Sequence, residues 1–235
     1  HIVDLSHDIP PQNIQAGALI LRSAVHFSPA GTIHVAVVDP GVGSARKGVL
    51  IETQAGLFIG PDNGLLSLAA PEKDIGRIIH LTNPDYFLDT PNHTFHGRDV
   101  FAPIAAHLTQ GVTPNQLGPQ LSTLNHLRLP TPEKTEQTLT GTVLCIDHFG
   151  NAVTNINTTD IHPFPTSALW VSIGARLLGQ LVSTYASVDE GEPVVLINRW
   201  GRVEIAIRNG SAAQELGIEP GSSVEMRRTG PGPSV

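Results

Sequence analysis

With 235 residues and 40% hydrophobic content, the chain is long enough to bury one large core or two modest ones. Its net charge of −7, from 14 basic and 21 acidic residues, comes without a basic block, which argues against a nucleic-acid partner. One cysteine, Cys145, excludes an intrachain disulfide, and no apolar run approaches the ~20 residues of a membrane helix, so a soluble cytoplasmic protein is expected.

In chain order, Ile2-Val3-Asp4-Leu5 reads as a short strand and Ile14 to Val25 as an amphipathic helix. A strand is predicted from Thr32 to Val38, with the β-branched continuity of a buried parallel strand. Further strands are expected at Gly48 to Glu52, Gly56 to Ile59 and Arg77 to Leu81, and a second helix from about Val100 to Leu108. This alternation predicts a parallel α/β layer over residues 1–130. Polar, proline-interrupted 131–139 reads as a linker. In 140–235, strands are predicted at Thr142 to Ile146, Ala152 to Ile156, Ala168 to Ile173, Pro193 to Ile197, Val203 to Ile207 and Ser223 to Met226. Their close spacing, with Gly and Asn turns, predicts a small antiparallel barrel or sandwich. Ser211 to Leu216 reads as a helical turn, and the tail from Thr229 as frayed.

The segment Asp39-Pro-Gly-Val-Gly-Ser-Ala-Arg46 leaves the predicted Thr32 to Val38 strand with a carboxylate and a guanidinium at its two ends. Strand ends of open α/β sheets are where ligands bind, and the glycines allow close backbone approach. It matches neither a Walker loop nor a dinucleotide fingerprint. On these residues alone it reads equally as a tight structural turn. Four more segments place polar residues at the edges of apolar elements: Gly60-Pro-Asp-Asn-Gly-Leu-Leu66, Thr94-Phe-His-Gly-Arg-Asp99, Asp147-His-Phe-Gly-Asn-Ala-Val-Thr-Asn155 and Ile197-Asn-Arg-Trp-Gly-Arg-Val-Glu-Ile-Ala206. Each is weak alone, since such turns and helix caps are common. His93 and His96 form an H-x-x-H pair without an acidic third ligand at zinc spacing, so no metal is expected. Cys145, in an apolar run, reads as core.

Taken in this order, the motifs resemble the S-adenosylmethionine hydrolase family, formerly S-adenosylmethionine hydroxide adenosyltransferases, which is related to the fluorinases and chlorinases. The resemblance runs from Asp4-Leu-Ser-His-Asp-Ile-Pro-Pro11 to Ala206. It implies a Rossmann-like α/β N-terminal domain, a C-terminal antiparallel β-barrel, and a homotrimer with sites between one subunit's first domain and its neighbour's second. It places a catalytic triad on Asp39, Arg46 and His96. It also implies that Asp147 holds the methionine ammonium, that Phe149 and Asn151 line the adenine pocket, and that Asn198 and Glu204 form its other half. Trp200 would stack on adenine, and Asn63, Phe95 and Gly97 are expected along the substrate. Arg199 stands where the family often has Ser. No cofactor is implied. The family's opening strand, aspartate-bearing turn and helix have no counterpart here, which implies a shortened chain or a weakened ribose grip. Asp39 favours hydrolysis of S-adenosylmethionine over halide transfer, because the halogenating relatives lack an acid there. A halide-dependent adenosyltransferase and a non-catalytic S-adenosylmethionine or adenosine binder are the alternatives.

Overall fold

A computed structural model describes residues 1–89, 92–162 and 169–228, in two compact units, 1–127 and 128–235. In the first, helix α1 (Ile14–Val25) begins at Asn13, whose side-chain oxygen accepts the Ala16 N–H at 2.9 Å. The unit's sheet contains β1 (Thr32–Val35), β2 (Gly48–Thr53), β3 (Gly56–Pro61), β4 (Ile75–His80) and β5 (Gln120–Leu121), in the order β1-β3-β2-β4-β5. Successive strand residues point to opposite faces. Ile51 and Phe58 therefore pack with Ala18, Leu21 and Val25 of α1, while Leu50 and Ile59 pack with Phe101 and Ile104 on the other side. Ile104 belongs to helix α2 (Ala102–Thr109), which follows a π-helical turn over Gly97–Phe101.

The mixed α/β class holds, but the expected parallel layer is corrected. Only β1 and β3 pair in parallel, and every other pair in this sheet is antiparallel. The two residues between β2 and β3 are too few for a parallel crossover and can only close a hairpin. Ile2 to Leu5 forms no strand. It has no ladder partner among the described residues, and Ile2 is 95% exposed.

In the second unit, β6 (Glu133–Lys134), β7 (Thr138–Ile146), β8 (Ala152–Asn157), β9 (Trp170–Ile173), β10 (Arg176–Val182), β11 (Pro193–Ile197), β12 (Arg202–Ile207) and β13 (Ser223–Arg227) form one sheet. It closes through β13–β7 pairing, so seven strands make a barrel with no open edge and β6 lies outside the ring. Its interior is filled by Leu139, Val143, Ile156, Val171, Val203, Ile205, Val224 and Met226. Pairing is antiparallel except between β10 and β11, where Leu181 faces Val195 in parallel register. The polar 131–139 stretch is not free chain, because Glu133 pairs with Thr140 on β7. Strand β10 was not predicted, and Ser211 to Leu216 contains a helical turn at Ala212–Glu215. Ala168 and the tail 229–235 lie outside the described residues.

Candidate active site

Three chain segments of the first unit converge where β3 ends. The chain leaves β1 with one more ladder bond, from Ala36 N–H to the Ile59 carbonyl at 3.0 Å, and reaches Asp39. It returns through the glycine turn to Arg46 and enters β2. Between them, Gly60 of β3 passes so close to β1 that a Cβ would lie 2.3 Å from the Ala36 carbonyl oxygen. No other residue fits there. Within the turn, Ser44 Oγ donates to the Gly41 carbonyl at 2.6 Å and accepts the Arg46 N–H at 3.2 Å, which sets the direction in which Arg46 leaves.

Arg46 grips Asp39 with a fork: Nε donates to Oδ1 at 2.8 Å, and Nη2 donates to Oδ2. The pair is largely withdrawn from solvent, with Asp39 6% and Arg46 10% exposed. Two parallel charge-assisted bonds in such a place hold geometry far better than a surface pair. Nη2 also lies 2.9 Å from Nδ1 of His96. A guanidinium can only donate, so Nδ1 must carry the lone pair and the imidazole is neutral with its proton on Nε2. Burial lowers the His96 pKa, and the Arg46 charge lowers it further against the opposing pull of Asp39.

His96 is positioned by the π-helical turn that starts at Gly97; such turns interrupt regular helices and recur at functional sites. Buried Asp99 ties this turn to the preceding loop, accepting from Arg98 Nε at 2.6 Å and from the Asn92 N–H at 2.7 Å. The Arg98 hydrogen bond, followed by that of Asn92, holds the Asp99 carboxyl below its ordinary pKa. Phe101 closes the floor. Its ring centroid lies 5.4 Å from Arg46 Cζ and meets the His96 ring edge-on at 6.5 Å, a cation–π and aromatic support for both groups.

In the second unit, a pocket of about 370 Å³ is lined by Asp147, Val153, Tyr185, Asn198, Arg199, Trp200 and Glu204, among others. Asn198 opens the turn between β11 and β12; its Oδ1 accepts the Trp200 N–H at 2.9 Å and the Arg202 N–H at 3.2 Å. Its Nδ2 donates to buried Glu204 at 3.1 Å, and Tyr185 Oη donates to the other Glu204 oxygen at 2.5 Å. Burial and this carboxylate push the Tyr185 pKa up, so the phenol stays protonated. Asp147 closes the β7–β8 hairpin, accepting from the N–H groups of Phe149 and Asn151 at 2.9 and 2.8 Å and from Asn151 Nδ2 at 3.0 Å. Cys145 is buried, and its thiol is pushed up to about 11, chiefly by burial.

The structure thus brings together Asp39, Arg46 and His96 in one unit and Asp147, Asn198, Trp200 and Glu204 in the other. Phe149 stands 75% exposed at its hairpin, and Phe95 is 58% exposed with Arg98 over its ring at 4.9 Å. Asn151 is buried against Asp147, and a Cβ at Gly97 would meet Val37 at 3.5 Å. Asn63 bonds the backbone, donating to the Val38 carbonyl at 2.8 Å. Sequence reasoning missed Tyr185, Asp99 and Phe101. Asp99 stood in a quoted motif; Phe101 was hidden among the apolar positions of the helix.

An α/β unit with a charged array at its strand ends, followed by a closed barrel with a mixed polar and aromatic pocket, defines a two-domain class, and the comparisons give its family. Residues 1–118 match the SAM hydroxide adenosyltransferase N-terminal domain, and residues 141–225 match its C-terminal domain. The chain belongs to the SAM hydroxide adenosyltransferase family. It is 38% identical over 228 residues to the (R)-S-adenosyl-L-methionine hydrolase of Salinispora tropica, covering 96% of this chain and 85% of that one. A fluorinase of Actinoplanes sp. is more distant, 27% identical over 97% of this chain and 87% of its own. The crystal structure of an uncharacterized conserved protein from Thermotoga maritima superposes with a TM-score of 0.87 at 32% identity, over 97% of this chain and 89% of that one.

Proposed function

We propose that this protein hydrolyses S-adenosyl-L-methionine to adenosine and L-methionine, by in-line attack of water on the 5′ carbon. The observation that carries the reading is the Asp39–Arg46–His96 array. The sulfonium leaves as a neutral thioether, so the reaction needs no acid on the leaving group and draws on no cofactor. What it needs is an oxygen nucleophile that loses a proton. With both Asp39 oxygens engaged by the Arg46 fork, the geometry favours Asp39 as the group that orients Arg46. Arg46 and the His96 Nε2–H then stabilise hydroxide character developing on the attacking water, as cationic and neutral donors do in preorganised sites. As the oxygen–C5′ bond forms, the C5′–S bond breaks with its electron pair kept by the sulfur, and the water's proton passes to solvent. A neutral His96 also spares the sulfonium a second positive charge beside Arg46.

Asp39 disfavours the halide alternative, since a carboxylate repels an anion held beside it. The greater identity to the hydrolase than to the fluorinase points the same way. The barrel pocket, with Trp200 and Tyr185 as aromatic walls and Asn198 and Glu204 as polar markers, suits the nucleoside half of the substrate. Asp147 and Arg199, which also line it, offer opposite charges to the amino-acid half. Phe149, Asn151, Phe95 and Gly97 complete the proposed substrate surface. The working assembly is a cytoplasmic homotrimer in which one subunit's first domain and its neighbour's second share a site. Exposed Val37, Phe95, Phe149 and Tyr185 in the candidate segments support such covering.

The test is incubation of the full chain with S-adenosyl-L-methionine, with and without chloride or fluoride, followed by chromatography. Adenosine and methionine in equal amounts, with no 5′-halo-adenosine, are expected. Calorimetric binding without methionine release would defeat the proposal.

A further inference from the structure

The turn that follows β3, Asp62-Asn63-Gly64, touches both segments that carry the buried ion pair. Asn63 Nδ2 donates to the carbonyl of Val38, the peptide group that leads into Asp39, at 2.8 Å. At its other end, Asn63 Oδ1 accepts the Leu65 N–H at 3.1 Å. One residue earlier, the Asp62 N–H donates to the carbonyl of Lys47, the residue after Arg46, at 2.8 Å. The turn is in turn anchored from behind. Buried Asp62 accepts the Asn125 N–H at 2.7 Å and its Nδ2 at 3.0 Å, while the Asp62 carbonyl accepts the same Nδ2 at 2.9 Å. The orientation of the Asn63 amide is fixed chemically, because the flipped amide would set oxygen against the Val38 oxygen and nitrogen against the Leu65 N–H.

We propose that Asn63 is a positioning residue for the Asp39–Arg46 pair, holding the Val38–Asp39 peptide at the distance from the Arg46–Lys47 segment that the fork requires. This reassigns Asn63 from the substrate surface to the frame beneath the array. The side chain must donate on one side of the turn and accept on the other. Aspartate cannot donate, and serine is too short to reach the Val38 carbonyl. Because Nη2 of Arg46 also bonds His96, a loosened fork is felt at the imidazole. The groups acting on that imidazole are Arg46, Asp39, His93 and Asp99, and Arg46 is the strongest of them.

The kinetic half of the test rests on the hydrolase reading; the titration half does not. Wild type, Asn63→Asp and Asn63→Ser are compared for kcat and KM with S-adenosyl-L-methionine, and the His96 ring proton, assigned with His96→Gln, is titrated by NMR. Misplacement of a reacting group costs up to about a hundredfold, so kcat is expected to fall about tenfold to a hundredfold in both variants. KM should stay within about twofold, the pattern of an interaction expressed in the transition state. His96 should titrate nearer its ordinary value in both variants. A rise in KM of about tenfold with kcat retained would restore Asn63 to the substrate and overturn the proposal. So would an unchanged His96 titration in a variant that unfolds cooperatively. If Asn63→Asp does not fold, Asn63→Ser, which adds no charge and keeps an acceptor for Leu65, is read by the same criteria. If wild type releases no adenosine, the hydrolase reading falls and the titration alone decides for or against the positioning role.

Discussion

A lone pair on one nitrogen sets the polarity of the array. His96 Nδ1 accepts from Arg46, so a proton arriving there would set two donors head to head. Burial first, and Arg46 second, place the native His96 pKa below the ordinary 6.5. The unfolded chain therefore takes up this proton more readily than the native one. The associated stability is full above the ordinary histidine value and is lost as pH falls through the native value. A pH–rate profile is therefore expected to run flat through neutrality and down past the ordinary histidine value, with kcat/KM falling only below it. An acid limb at or above that value would contradict the assigned tautomer. His96→Gln can accept from Arg46 and donate onward, so it should cost less than the 10²–10⁴-fold typical of losing a general base, and it should abolish the acid limb. Asp39→Ala frees Arg46 from its fork and is expected to lower kcat by about a hundredfold or more, the scale of losing one preorganised donor, with substrate affinity retained, measured by adenosine release and calorimetry. It also strands the buried Arg46 charge, so the thermal midpoint should drop in the same samples.

Among the elements, the glycine turn and the 92–96 loop are fitted to each other. Gly43 has φ +78°, and a Cβ there would stand 2.9 Å from the His93 carbonyl oxygen. Gly43→Ala meets both the left-handed backbone penalty, about 1–2 kcal/mol, and a clash with main chain. A fall of a few degrees in the thermal midpoint is expected. Activity should fall by more than that loss predicts, because the displaced loop leads directly to His96; a variant with wild-type kcat would show the loop to be independent of the turn. Local signals of this kind were legible in the sequence. The bounds of α1 follow from its periodicity and from Asn13, and Asp39 and Arg46 stand out because glycines separate them. What depended on distant pairing was not legible. The direction of β1 relative to β3 is set by a register between residues 32–35 and 56–59. Strand β10, Arg-Leu-Leu-Gly-Gln-Leu-Val, lacks alternation because Gly179 sits at a register shift. Tyr185 carries no motif at all; its place comes from its hydrogen bond to Glu204 of β12. Asp147 was legible as a polar residue at a strand end, but its three hairpin bonds show up only in three dimensions.

At the scale of the molecule, the proposed chemistry needs two groups of residues that lie in different units, and a shared site in a ring assembly makes a demand that a self-sufficient chain does not. Each site would take Asp39, Arg46 and His96 from one copy and Asn198, Trp200 and Glu204 from the next. Asp39→Ala would then inactivate through the first unit and Trp200→Ala through the second, each nearly silent alone. Unfolding the two variants together and refolding them at equal ratio allows mixed rings to form. In a closed cyclic ring of random composition, roughly a quarter of the sites would join one intact first unit to one intact second unit. Adenosine release is therefore expected to recover to about that fraction of wild type after co-refolding, and not when the separately refolded variants are mixed. If each site lay within one chain, every chain would keep its own lesion in its own site, so no recovery would follow. Sedimentation of these samples and of the wild type distinguishes the outcomes: a trimer without recovery locates the site within one chain, whereas a fully active wild-type monomer removes the shared site altogether.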